Sequence, residues 1–161
     1  MRTYEQGNYR AALDGTGDAM WLLAITDDDG STQAGNLATY YAADALYRLG
    51  EFDRALELFQ EFEATEDFIG ASALAAQAAI YANRGEFERA ASLYVDAAEQ
   101  FPNSLTTPKY LMSAGKAYEE TGNYAAAISA YQRIEDEYPE SSQAQQVPRY
   151  IARAEARADA S

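Results

Sequence analysis

The chain has neither cysteine nor histidine. Without cysteine there is no disulfide, thiolate metal site or thiol nucleophile. Without histidine it lacks the side chain most often used for proton transfer and metal ligation near neutral pH. Long β-branched runs are missing too, which argues against a sheet. No apolar run approaches the ~18 residues of a spanning helix. Residues 1–10, MRTYEQGNYR, lack the apolar stretch of a signal peptide. Prolines number four. Lysines number two, Lys109 and Lys116, against ten arginines.

What the chain does have is acid and alanine. Its net charge is −14 over 161 residues. Such a chain repels phosphate backbones, so no nucleic-acid partner is expected. An acidic, lysine-poor surface resembles that of proteins from high-salt cytoplasm; solubility through net charge is the alternative reading. Apolar residues make up 48% of the chain, enough to bury a core. Alanine suits helices that pack closely.

A Gly-acid-aromatic or Gly-Asn-aromatic turn recurs at Gly7, Gly50, Gly85 and Gly122, at intervals of 43, 35 and 37 residues. This is an internal repeat of helix–turn–helix units. Helical apolar spacing predicts helices over 37–49, 52–64, 71–83, 87–100, 108–120 and 124–138. Pro108 fits a first helical turn. A polar helix over 142–159 is expected to close the array, with Pro148 kinking it or marking its true start. Residues 10–13 read as the start of a second helix, so the chain is expected to begin mid-repeat, with more protein upstream. A break at 14–18, a short helix over 19–26 capped by Asp18, and a loop over 27–35 follow.

Candidate chemistry is thin. Asp14-Gly15-Thr16-Gly17-Asp18 resembles a calcium loop, but an EF-hand needs glycine where Ala19 stands and an acid where Ile25 stands. It reads as a helix break. Asp27-Asp28-Asp29-Gly30 reads as a solvated turn, since carboxylates at a helix C-terminus oppose its dipole. Trp21-Leu22-Leu23 reads as core. Carboxylates abound, yet none stands apart from the charged helix faces as an acid–base pair. No metal site, cofactor or catalytic residue is assigned, and the chain reads as no enzyme.

The third unit has Ala78 and Tyr81 before Gly85, then Ala90, Tyr94, Ala97 and Pro102. The fourth has Gly115, Tyr118, Gly122, Ala127, Tyr131, Ile134 and Pro139. At this spacing the array resembles the tetratricopeptide repeat. The second unit matches at Ala43, Leu46, Gly50, Ala55, Phe59 and Phe62, with Asp67 where a proline is usual. The first departs after Ala12, with Thr16 where an aromatic belongs. The wording of residues 35–42 and 138–142 is more loosely similar to bacterial envelope arrays of the translocon-ancillary type, which would place the array in the periplasm behind an upstream anchor.

The resemblance implies an all-α, right-handed superhelix of antiparallel helix pairs. Its division is a partial repeat at 1–35, repeats at 36–69, 71–104 and 108–141, and a capping helix at 142–161. Core positions would include Ala43, Leu46, Ala55, Phe59, Ala78, Tyr81, Ala90, Tyr94, Gly115, Tyr118, Ala127 and Tyr131. It further implies a scaffold that grips a peptide or protein on the concave face lined by the first helix of each pair. The alternative is a structural or self-associating module, a homo-oligomer included. The groove residues would be Tyr40, Asp44, Tyr47, Ala75, Ala79, Ala82, Met112, Lys116 and Glu119, with Arg48, Asn83 and Lys109 at the margins. Lys116 would receive a carboxylate; the other reading is that it pairs with Glu119 or Glu120.

Overall fold

A computed structural model describes residues 8–14, 32–63, 65 and 67–160. The turn at Gly7, the break at 15–18, the 19–26 helix with Trp21 and the Asp27-Asp28-Asp29 turn lie outside them. All regular structure among the described residues is helical. The chain forms two compact units, Met1–Ala64 and Thr65–Ser161.

In the first unit, α1 (Tyr9–Asp14) packs on α2 (Gln33–Arg48), and α2 on α3 (Phe52–Glu61). Helix α2 begins four residues before the expected start. The Thr32 hydroxyl accepts from the Gly35 N–H at 3.0 Å, capping a stretch whose polar letters read as loop. Asn36 ties the two ends of the pair. Its amide donates to the Glu63 carbonyl at 3.0 Å and accepts from the Glu63 N–H at 2.8 Å. Ala42, Ala43, Ala45 and Leu46 of α2 and Ala55 and Phe59 of α3 are buried.

The second unit runs α4 (Phe68–Asn83), α5 (Phe87–Gln100), α6 (Thr107–Glu120), α7 (Tyr124–Glu137) and α8 (Val147–Ala158), each packed on its chain neighbours. Asp67 caps α4, accepting from the Ile69 and Gly70 N–H groups at 2.9 and 3.0 Å. The residue that departs from the proline of the repeat thus starts the next helix. Pro108 sits in the first turn of α6. A 3-10 turn, Ala144–Gln146, leads into α8, with Pro148 in its first turn. Proline therefore marks the helix start rather than a kink.

The three described turn glycines share one geometry. Gly50, Gly85 and Gly122 have φ of 79°, 78° and 75°. After each, the next N–H reaches back to a carbonyl in the last turn: Glu51 to Leu46, Glu86 to Tyr81 and Asn123 to Tyr118, all at 2.9 Å. A left-handed residue here satisfies the orphan carbonyls and folds the second helix back on the first.

The core of the second unit is alanine against aromatic. Ala98, Leu111, Met112, Ala127, Tyr131, Ile134, Val147 and Tyr150 form one buried cluster. Gly115 makes the α6–α7 crossing possible, because a Cβ there would lie 2.2 Å from Tyr131 Cε1. Of the expected core residues, Tyr94 and Tyr118 are only half-buried.

Candidate protein-interaction face

In the first unit, the expected groove residues on α2 largely engage their own neighbours. The Tyr40 ring lies 5.8 Å from Phe62 and 6.1 Å from Phe59, filling the space between α2 and α3. Tyr47 lies 5.5 Å from Phe52. Asp44 accepts from Arg48 Nε at 2.6 Å, and the Arg48 guanidinium stands 5.4 Å from the Tyr9 ring on α1. All four keep partial exposure.

In the second unit, Ala75, Ala79 and Ala82 are half-buried along α4, and Asn83 is exposed at its end. On α6, Lys109 and Lys116 are exposed. Met112 and Glu119, expected on the open flank, are buried, 6% and 4% exposed. The capping helix explains this: Val147 and Tyr150 of α8 join the cluster that holds Met112. The flank of α6 that would be free is covered by α8.

Glu119 is the polar centre of that contact. Its Oε1 accepts from the Tyr131 hydroxyl at 2.8 Å and from Arg153 Nη2 at 2.6 Å. Its Oε2 accepts from Arg153 Nε at 2.9 Å and Arg157 Nη1 at 3.2 Å. Burial alone would push this carboxyl up. The hydrogen bonds from Arg153 and Tyr131 and the arginine charges outweigh it and hold the group below the usual carboxylate range. Burial, followed by the Glu119 carboxylate, pushes the Tyr131 phenol well above its ordinary value.

Lys116 pairs with neither Glu119 nor Glu120 within ion-pair distance; its ammonium stands 5.2 Å from the centroid of the Tyr150 ring. On its other side it borders a hollow of about 220 Å³ lined by Ala82, Phe87, Tyr94, Ser113, Ala117 and Glu120. This explains the half-exposure of Tyr94, whose ring walls the hollow rather than sealing the core. The structure thus brings Ala82 and Lys116 together.

Sequence reasoning missed Phe87 and Tyr94 as surface residues, and Arg149 and Arg153 altogether. The signal for the arginines was legible: Arg149, Arg153 and Arg157 recur every four residues, one stripe of a helix. Among the described residues, no cluster of acidic groups gathers as a metal site, and no helix is long and apolar enough to cross a membrane.

A family model described as the tetratricopeptide repeat matches three overlapping stretches, residues 16–67, 40–104 and 75–142. The match is to the repeat as such and does not extend to the envelope-associated type. No curated protein matches the chain.

Proposed function

The chain belongs to the tetratricopeptide repeat family, whose repeats are generally protein–protein interaction modules, and we propose that it is a non-catalytic scaffold that holds an extended segment of a partner protein against the first helices of its second unit. One observation carries this reading: the hollow beside Lys116. Two aromatic walls, Phe87 and Tyr94, and the small residues Ala82, Ser113 and Ala117 leave room for one apolar side chain. Helices packed through alanine expose little side-chain bulk between Ala75 and Ala82, so a peptide backbone can approach α4 closely.

Peptide display against the whole chain tests it. Selected peptides should protect amides of α4 and α6 near Ala82 and Ser113 from hydrogen exchange. Ala82→Arg, which fills the hollow, should weaken them about tenfold or more, the equivalent of ~1.4 kcal/mol. Protection confined to other helices would remove the reading.

Self-association is the second reading. Phe101 and Leu105, 39% and 67% exposed, both fall in the α5–α6 connection. Light scattering that shows a mass rising with concentration, abolished by Leu105→Ser, would favour it.

A further inference from the structure

We propose that the α6–α8 face of the second unit is a docking site for a short acidic segment of a protein partner, with Lys116 and Arg149 receiving its carboxylates. The proposal rests on the interaction-module reading above and names the chemistry of the bound segment.

Four cationic heads gather on this face: Lys116 from α6 and Arg149, Arg153 and Arg157 from α8. Three of them stand on one ring. Lys116 Nζ, Arg149 Cζ and Arg153 Cζ lie 5.2, 5.0 and 4.6 Å from the Tyr150 centroid. The aromatic face attracts each cation, but the cations repel one another. Glu119 neutralises only part of this charge. Its two oxygens are committed to Arg153, Arg157 and the Tyr131 hydroxyl.

Among the described residues, no carboxylate lies within ion-pair distance of Lys116 or Arg149. Arg149 makes only long bonds to neutral oxygens, 3.4 Å to Gln146 Oε1 and 3.4 Å to the Tyr150 hydroxyl. An incoming carboxylate would replace these with shorter, charge-assisted bonds. Consistent with the crowding, the Tyr150 phenol is held below the ordinary tyrosine range, first by the Arg149 hydrogen bond and then, against some burial, by Lys116. In a chain of net charge −14, three cations gathered on one ring are a local concentration of positive charge that a partner of opposite charge fits.

The size of that partner follows from the surrounding field. Screening limits the reach of these cations to about 8 Å at physiological salt. Beyond it an extended polyanion meets the acidic remainder of the chain. A duplex or an anionic membrane carries its charge over a far larger span, so a short acidic run is favoured. Lys116 also borders the hollow, so the segment should pair an apolar side chain in the hollow with acids directed along α8.

Fluorescence anisotropy with the whole chain at 0.15 M salt tests this. The probe is a fluorescein-labelled peptide of one leucine followed by four glutamates; the comparison peptide has glutamines in their place. The glutamate peptide should bind about tenfold tighter or more. Lys116→Gln with Arg149→Gln should erase the difference at an unchanged melting temperature. Lys116→Arg with Arg149→Lys should keep it, which separates a charge requirement from a folding defect. Equal binding of the two peptides to the wild-type chain would overturn the acidic specificity, as would a glutamate preference that survives in the Gln double variant. If both bind equally and protect the hollow from exchange, the module reading stands and only this inference falls. Tighter association with phosphatidylserine vesicles than with the glutamate peptide, lost in the same double variant, would assign the face to a membrane and overturn the proposal too.

Discussion

Glu119 occupies a position that the repeat pattern assigns to an open groove, yet its carboxylate is buried and shared by a tyrosine and two arginines. Its worth should depend on pH with a definite sign. The folded carboxyl titrates below its ordinary value of about 4.3. Its contribution is therefore complete above that value and is lost as pH falls through the lower, folded pKa. Glu119→Gln should cost about 2 kcal/mol at pH 7, the scale of hydrogen bonds to a charged group. The gap between the wild-type and variant melting curves should narrow below roughly pH 4. A gap that stayed constant down to pH 2 would mean that the carboxylate charge contributes nothing. The turn glycine Gly85 offers a contrasting case. Nothing lies within 4 Å of the position a Cβ would take, so its constraint is the positive φ alone. Gly85→Ala should cost about 1–2 kcal/mol in urea unfolding, and Gly85→Asn less, since Asn tolerates the left-handed region.

At the scale of elements, the α6–α7 crossing is set by a missing side chain. The Tyr131 ring occupies the space a Cβ on Gly115 would need, and its hydroxyl is fixed by Glu119. The ring cannot swing away without breaking that bond. Gly115→Ala should then force the helices apart and cost about 1–3 kcal/mol, read as a lower melting midpoint. A midpoint unchanged within a degree would show that the crossing relaxes freely. Much of this architecture was legible in the sequence, because the turn glycine, the small residue and the aromatic recur at fixed offsets. Helix α5 has the bounds that its periodicity gives, Phe87–Gln100. Two starts were hidden for one physical reason: Thr32 and Asp67 look like loop residues, but the side-chain oxygen of each accepts from N–H groups at a helix N-terminus. The candidate face was less legible. A repeat pattern says which flank of a first helix is free only if the next element is known. Here α8 covers Met112 and Glu119, and adds Arg149 and Arg153 beside Lys116. Pairwise spacing within one repeat carries no record of what the following helix places there.

For the whole molecule the deciding quantity is charge. Acidic residues number 26 and basic residues 12, so most carboxylates have no cation to pair with. Two salt effects then compete. Screening weakens exposed pairs such as Arg48–Asp44 and the Arg133 contacts with Glu99 and Glu137. Each of these is worth at most about 1 kcal/mol. Screening also weakens the mutual repulsion of the surplus carboxylates, which acts against the compact state throughout. The screening distance falls from about 30 Å at 0.01 M salt to 10 Å at 0.1 M and 3 Å at 1 M. Long-range repulsion is thus removed first, while close pairs keep most of their attraction until the molar range. The melting midpoint at pH 7 should therefore rise with sodium chloride, steeply up to a few tenths molar and more slowly beyond. Calorimetry over that series checks the order of the two effects. A midpoint that is flat, or that falls from the lowest salt onward, would mean that the few arginine pairs outweigh the repulsion of the remaining acids.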